Sequence, residues 1–260
     1  IAPAMDLDMW RHPAVKNNLR LVQSYGNQII PVGNGFLASG LEGDGRMAEP
    51  EEILDNIHHF FAKKLDLKNK NVLITAGPTF EAIDPVRFIG NHSSGKMGIE
   101  LAKSCANRGA NVTLILGPTS LTLENPSIKV ERIQSAQEMY DAVNQCFEQS
   151  DIAIFAAAVA DYRPATVSLT KIKKKDDDLS IPLVKTIDIA VTIGAKKSDK
   201  QILVGFALET NDEIINANSK LHKKNLDFIV LNSLADQGAG FKHDTNKVTI
   251  IDSEGTKIDF

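Results

Sequence analysis

Beyond about residue 71 the chain alternates short apolar runs with longer segments of helical period. Val72–Ala76, Asn111–Leu116, Ile152–Ala157, Gln201–Phe206 and Phe228–Asn232 are apolar almost throughout, the pattern of strands covered on both faces in a parallel sheet. Helices are expected between them. Met97–Asn107 runs up to Gly109, a natural C′ residue. Ser135-Ala136-Gln137-Glu138 is a capping box that starts a helix reaching about Glu148. Ile214–Lys224 is a third helix, following the fourth strand. Lys247–Ile251 and Lys257–Phe260 flank Ser253-Glu254-Gly255 and predict a hairpin. The alternation predicts an open, doubly wound α/β sheet with an antiparallel edge.

The first 65 residues follow another pattern. Gln28–Val32 predicts a short strand, and a glycine-rich loop (Gly33, Gly35, Gly40, Gly43, Gly45) follows. A helix opens at Pro50-Glu51-Glu52, where proline suits the first turn and the carboxylates suit the positive end of the helix dipole. One strand and one helix cannot close a core alone, so this stretch reads as the tail of a larger domain. Opening on Ile1-Ala2-Pro3 suggests a fragment or a processed product. Residues 66–70 form a polar connector, and the boundary is placed there.

Composition narrows the function classes. The chain has 260 residues, 43% hydrophobic and 24% charged, which excludes a disordered or fibrous chain and fits one or two domains. Lys and Arg number 29 against 33 Asp and Glu, an acidic balance that argues against a general nucleic-acid surface. Cys105 and Cys146 are too few for a disulfide framework and suit a reducing, cytoplasmic setting. No apolar run approaches the roughly 18–20 residues that span a bilayer, so no membrane partner is expected.

Four stretches carry candidate chemistry. Thr75-Ala76-Gly77-Pro78-Thr79 ends the first long strand, where a phosphate often meets the backbone. A plain tight turn is the alternative. Gly90-Asn91-His92-Ser93-Ser94-Gly95-Lys96 has the glycine and lysine spacing of a P-loop, but Met97 stands where Ser or Thr should bind magnesium. It reads as an anion-binding loop at a helix start, with Ser93, Ser94, Gly95 and Lys96 supplying donors, or as an ordinary cap. Ala156–Pro164 follows the third strand, and its small residues admit a ligand to the backbone. Within it Asp161 is placed to hold a metal or accept bonds from a base or sugar, or simply to pair with Arg163 or cap a turn. Lys171–Lys175 runs into Asp176–Asp178, a charge block that reads as a solvated loop, or as a flexible loop whose lysine swings in to neutralise a triphosphate. Lys220 and Lys224 share a helix face, and the histidines at 58, 59, 222 and 243 show no metal spacing.

Together the motifs Ile74–Thr79, Asn91–Gly98, Ala157–Pro164, Lys171–Lys174, Gly205–Thr210 and Lys220–Asn225 resemble phosphopantothenate–cysteine ligase. In bacteria this is commonly the second half of a bifunctional coenzyme A biosynthesis protein. The resemblance covers residues 71–260 as the ligase domain. The first 65 residues resemble the end of its flavin-dependent decarboxylase half. Ala2-Pro3-Ala4-Met5 and Met9 match that half's substrate motif, with Asp6 in place of Asn. Ser39 stands in the flap where many members carry a reductive cysteine.

The resemblance implies a three-layer Rossmann-like sheet and a homodimer formed through the ligase domain. It implies 4′-phosphopantothenate, cysteine and CTP as substrates, Mg2+ with the nucleotide, and FMN if the rest of the decarboxylase half is present. It matches Asn91 to the residue that contacts the activated acyl group, and Lys171 to a mobile-loop lysine that is both catalytic and in contact with the nucleotide. Phe155, Ala156, Ala157 and Asp161, Ile187, Asp188, Ile189 and Ala190, and Phe206, Lys220 and Lys224 would contact the nucleotide, with Ile187 standing where the family has Pro. Two other readings compete: an NAD(P)-binding reductase-like domain, for which Gly-x-Gly-x-x-Gly is missing, and a non-catalytic oligomerisation module.

Overall fold

The computed structural model describes residues 1–62, 65–174, 179–209, 212–233 and 248–260. Lys175, Asp176–Asp178, Thr210, His243 and Lys247, which figured in the expectations above, lie outside the described residues. The chain divides into two compact units, Ile1–Asp66 and Leu67–Phe260.

In the first unit, helices α1 (Leu7–Arg11) and α2 (Pro13–Ser24) precede a hairpin of β1 (Gly33–Phe36) and β2 (Glu42–Arg46), and α3 spans Pro50–Ala62. The strand expected at Gln28–Val32 is not formed. Among the described residues that segment makes two backbone bonds, Ile1 N to Gln28 O and Ile30 N to Ile1 O. The glycine-rich stretch pairs instead, with Asn34 opposite Asp44 and Gly35 opposite Gly43. An apolar run signals burial, whereas pairing here needs only a close return of the backbone. Gly45 shows why: its φ is +136°, and a Cβ there would lie 2.3 Å from the Met5 carbonyl oxygen.

The second unit is built on an eight-stranded sheet. Its strands are β3 (Asn71–Ala76), β6 (Asn111–Leu116), β7 (Ile128–Arg132), β8 (Ile152–Phe155), β11 (Ile202–Glu209), β12 (Phe228–Ser233), β13 (Val248–Asp252) and β14 (Lys257–Asp259). Their spatial order is β14-β13-β12-β11-β8-β3-β6-β7. The six strands from β12 to β7 are parallel, and β13 and β14 are antiparallel. This is the three-layer Rossmann-like architecture with an antiparallel edge that was expected. The chain winds from β3 outward to β7 and then returns to β8 on the other side, so the winding reverses between β3 and β8. Strand β7 was not foreseen, because Ile128–Arg132 alternates apolar and charged residues as an edge strand does.

Successive residues of β3 face opposite layers. Leu73 packs with Ile115, Leu203 and Ile229 and with Met139 and Val143 of α5 (Ala136–Phe147). Ile189 and Ile193 of α6 (Ile189–Gly194) and Leu221 of α7 (Glu213–Lys223) join the same layer. Val72, Ile74 and Ala76 pack the opposite layer with Leu114, Leu116 and Ile99 of α4 (Lys96–Asn107). Burying each such Leu or Ile contributes about 1.5–3 kcal/mol, so these strands are determined locally by their composition. The Ser135 capping box of α5 forms as the sequence predicts.

Two small antiparallel ribbons complete the unit and were not foreseen. Strands β4 (Phe80–Ala82) and β5 (Phe88–Gly90) form one, and β9 (Tyr162–Pro164) and β10 (Leu183–Lys185) form the other. Three-residue strands leave no period to read.

Candidate functional site

A cleft of about 520 Å³ opens at the carboxyl ends of β3, β8 and β11. It lies where the winding of the sheet reverses, the place at which open α/β sheets bind ligands. Its volume lies within the range of small-molecule sites, roughly 300–1,000 Å³.

The base is apolar and comes from the strand ends. Phe155, Ala157 and Val159 follow β8, and Gly205 and Phe206 belong to β11. Met139 of α5, fully buried, closes the bottom. One wall is Asp161, Tyr162, Lys185 and Thr186 at the β9–β10 ribbon. Thr186 fixes that wall, donating from Oγ1 to Ala160 O at 2.6 Å and from N to Asp161 O at 2.9 Å. The other wall is Ile187–Ala190 with Lys220, Lys223 and Lys224 of the α7 end. Asp188 caps α6, accepting from Val191 N at 3.1 Å, and accepts from Lys224 Nζ at 3.2 Å. Four lysines against Asp161 and Asp188 give the mouth a positive excess, suited to a polyanion.

Of the expected nucleotide contacts, Phe155, Ala157, Asp161, Ile187, Asp188, Ile189, Ala190, Phe206, Lys220 and Lys224 all line this one cleft. Ala156 does not, because strand alternation turns it to the opposite layer, against Ile74 and Ile154. Lys171, Asn91, Ser93, Ser94, Gly95 and Lys96 also lie outside the lining. Asn91 reaches toward the cleft indirectly, donating from Nδ2 to Ala158 O at 3.1 Å and Val159 O at 3.0 Å. In the serine loop, Ser93 Oγ accepts from Gly95 N and Ser94 Oγ from Lys96 N, at 3.3 and 3.4 Å. Those oxygens serve the loop itself, while the N-cap of α4 is Gly95, which is left-handed and has no side-chain cap bond.

Lys185 and Lys223 line the cleft and were missed. For Lys223 the signal was present, since it shares a helix face with Lys220. Lys185 sits in a three-residue strand and gave none.

The turn after β3 offers little to a phosphate. Gly77 has φ of +80° and Pro78 has no N–H. Thr79 N donates to Ala158 O at 3.4 Å, and Phe80 N to Gln134 O at 2.7 Å. Thr79 Oγ1 accepts from Ala160 N. Gly98 lets α4 lie directly on this strand: a Cβ there would come within 2.4 Å of the Ala76 Cβ.

An ion pair with one enclosed and one exposed partner lies beside these elements. The Asp84 side chain is wholly enclosed and bonds to Arg87 through Nε at 3.0 Å and Nη2 at 2.7 Å. Burial alone would raise its pKa. Hydrogen bonds from Val86 N, Ile172 N and Arg87 outweigh that and hold the carboxyl well below the usual carboxylate range.

Among the described residues no cluster of three or more His, Cys, Asp or Glu could hold a metal ion, and no helix is long and apolar enough to cross a membrane. In the first unit, Ser39 Oγ donates to Asp6 Oδ1 at 2.9 Å, so the two departures from the decarboxylase motif are bonded to each other. The close approaches at Gly43 and Gly45 are made by Leu7 and Met5 of the same unit, and they mark internal packing rather than a flavin cradle.

Fold and site thus define an α/β protein with a small-molecule cleft at a sheet switch point. Residues 67–260 match the family model described as the DNA/pantothenate metabolism flavoprotein C-terminal domain, and residues 1–62 match a flavoprotein model. The chain belongs to this family of DNA/pantothenate metabolism flavoproteins. It is 56% identical, over 97% of its own length and 71% of the relative's, to a cysteine/cysteine sulfinic acid decarboxylase from an unknown prokaryotic organism. It is 47% identical to the coenzyme A biosynthesis bifunctional protein CoaBC of Bacillus subtilis (strain 168). That match covers 99% of this chain but 64% of the relative. Among solved structures, the C-terminal domain of a coenzyme A biosynthesis bifunctional protein CoaBC superposes with a TM-score of 0.63 at 43% identity. It covers 75% of this chain and 87% of that one.

These matches correct the resemblance drawn from the motifs. Both family models are flavoprotein models, the 56% identical relative is described as a decarboxylase, and none of the descriptions names a ligase. The motifs read out a site, whereas family membership follows from the whole chain, including residues 1–62.

Proposed function

We propose that the cleft of the second unit binds CTP and joins 4′-phosphopantothenate to cysteine through an acyl-cytidylate. One observation carries this reading: a cleft of about 520 Å³ with apolar strand-end residues at its base holds Lys185, Lys220, Lys223 and Lys224 at its walls. The name of the bifunctional coenzyme A relatives supports the substrate class. A pantothenate carboxylate oxygen attacks the α-phosphorus of CTP, forming a P–O bond while the bond to the β-phosphate breaks and pyrophosphate leaves. The cysteine amine then attacks the acyl carbon; the C–N bond forms, the C–O bond breaks, CMP leaves and the amine loses its proton. The chain's contribution is positioning and charge neutralisation. The α7 lysines hold the departing phosphates, and Asn91 and Lys171 act on the acyl group.

A magnesium ion fits this site as a nucleotide-borne ion, because such ions take one or two carboxylates besides phosphates. Asp161 is the residue that would hold it, and the ion would neutralise phosphate charge. No residue of this chain is assigned to FMN, and no step is derived through it. In this reading residues 71–260 form the ligating domain and 1–65 the closing part of a flavoprotein decarboxylase domain, with 66–70 between them. A homodimer through the ligating domain is supported by the exposed side chains of Val86, Phe88, Leu169 and Leu183, and sedimentation velocity would test it.

The NAD(P) reading loses support at the turn after β3, where Pro78 has no N–H and Thr79 N and Phe80 N are already bonded. Pyrophosphate release across the four nucleoside triphosphates, with and without each acceptor, tests the proposal. Release that requires phosphopantothenate and is fastest with CTP is expected. No release with any triphosphate would refute it.

A further inference from the structure

The turn of the β4–β5 ribbon grips a segment some 85 residues away. Asp84 is a carboxylate with no solvent exposure, a state acidic side chains almost never adopt unless paired. Its Oδ1 accepts from Val86 N at 2.8 Å and Arg87 N at 2.9 Å. Its Oδ2 accepts from the Arg87 fork and also from Ile172 N at 3.1 Å. Arg87 Nη2 in turn donates to Ile172 O at 2.6 Å. Both backbone groups of Ile172 are therefore taken by one ion pair, directly after Lys171. Ser168 N donates to Ile83 O at 3.0 Å, and Ser168 Oγ to Thr170 O at 2.6 Å. The stretch 168–172 is thus tied to the turn at both ends.

The same ribbon ends at Gly90 and delivers Asn91, whose amide bonds Ala158 and Val159 beside the cleft. One short ribbon accordingly sets the backbone on which both Asn91 and Lys171 sit. Tethering of this kind has a physical use. A lysine on a free loop must lose backbone as well as side-chain freedom when it meets its target, and a fixed peptide removes the first cost in advance.

We propose that Asp84 and Arg87 are positioning residues: their ion pair clamps the Ile172 peptide and so presents Lys171 to the acyl intermediate. The inference rests on the ligation reading for what Lys171 does, and on the hydrogen bonds alone for how it is held.

Two measurements separate those parts. Trypsin cuts after Lys171, at the bond whose N–H Asp84 holds, and after Lys173, beyond the clamp. In Asp84→Asn the rate at Lys171 relative to Lys173 should rise about tenfold or more, since local opening governs cleavage. Arg87→Lys, which keeps the charge but loses the fork to Ile172 O, should move the ratio the same way and carries the test if Asp84→Asn does not fold. An unchanged ratio in the variants that fold overturns the clamp.

The second measurement separates the two half-reactions. Phosphopantothenate-dependent pyrophosphate release should stay within about threefold of the parent in the Asp84→Asn and Arg87→Lys variants, while amide formation falls about tenfold or more. In a Lys171→Gln background the same substitutions should change amide formation by less than about twofold, because a residue acting through another adds nothing once that other is gone. Independent, multiplying effects would show a merely structural role and overturn the proposal. If the parent chain releases no pyrophosphate from CTP, the ligation reading fails instead, and the trypsin ratio still decides the clamp.

Discussion

Lys224 offers the sharpest test of what the cleft holds. Its ammonium lies 3.2 Å from the Asp188 carboxylate, with 26% and 44% of the two side chains exposed. Such a pair contributes about 0–1 kcal/mol to folding, so Lys224→Gln should leave the fold nearly unchanged. Toward a triphosphate the same ammonium makes a charge-assisted hydrogen bond, worth about 1.5–3 kcal/mol. Releasing Asp188 offsets up to about 1 kcal/mol of that. The net loss on substitution is about 0.5–3 kcal/mol, or roughly 2- to 150-fold in Kd. CMP lacks the β- and γ-phosphates that the α7 lysines would hold, so its affinity should change by less than about twofold. Equilibrium dialysis of CTP and CMP against the parent, Lys220→Gln and Lys224→Gln, at low and high salt, reads this directly. The CTP difference should shrink as salt rises, because exposed charges are screened. Equal factors for CTP and CMP, or no change for either, would show that the lysines face solvent.

Three further outcomes are expected. Asn91→Asp exchanges two bonds to Ala158 and Val159 carbonyls for a negative charge, and should lower overall ligation about 10²-fold or more with an intact circular dichroism spectrum; near-normal turnover would remove Asn91 from the site. Gly98→Val drives a side chain into Ala76 and should cost about 1–3 kcal/mol, seen as a thermal midpoint several degrees lower; an unchanged midpoint would mean α4 is free to shift. Asp84 is held below its ordinary range, as are Asp151, chiefly by the Asn71 N–H, and Asp252, chiefly by the Thr256 N–H. A lowered folded pKa adds stability that is complete above the ordinary value of about 3.9 and drains away as pH falls toward the folded one. The midpoint of Asp84→Asn should therefore fall less steeply than the parent's as pH drops from about 4 to 2, and parallel curves would contradict this.

The central strands and their helices were legible in the order of residues alone. Leu73, Ile74, Leu114, Ile115, Leu203 and Ile229 lose nearly all contact with water, and a run with no polar face can satisfy that in few other ways. The Ser135 capping box set the start of α5 through bonds only three residues apart. The motifs also marked most of the cleft, since small residues at a strand end and lysines on one helix face carry their chemistry locally. The remainder depends on contacts between distant segments. Ala156 and Ala157 are neighbours of one type, yet strand alternation sends only the second into the cleft. Lys185 joins the site because β10 pairs with β9, and no local pattern announces a three-residue ribbon. The first unit forms its hairpin at glycines rather than at the apolar Gln28–Val32, since pairing there depends on how closely Met5 can approach Gly45. Asp84 reads as an ordinary turn residue until its partner Ile172 is brought to it. Val86 and Arg87 supply its local donors, but the bond from Ile172 N comes from 88 residues away, and no sequence neighbour announces it.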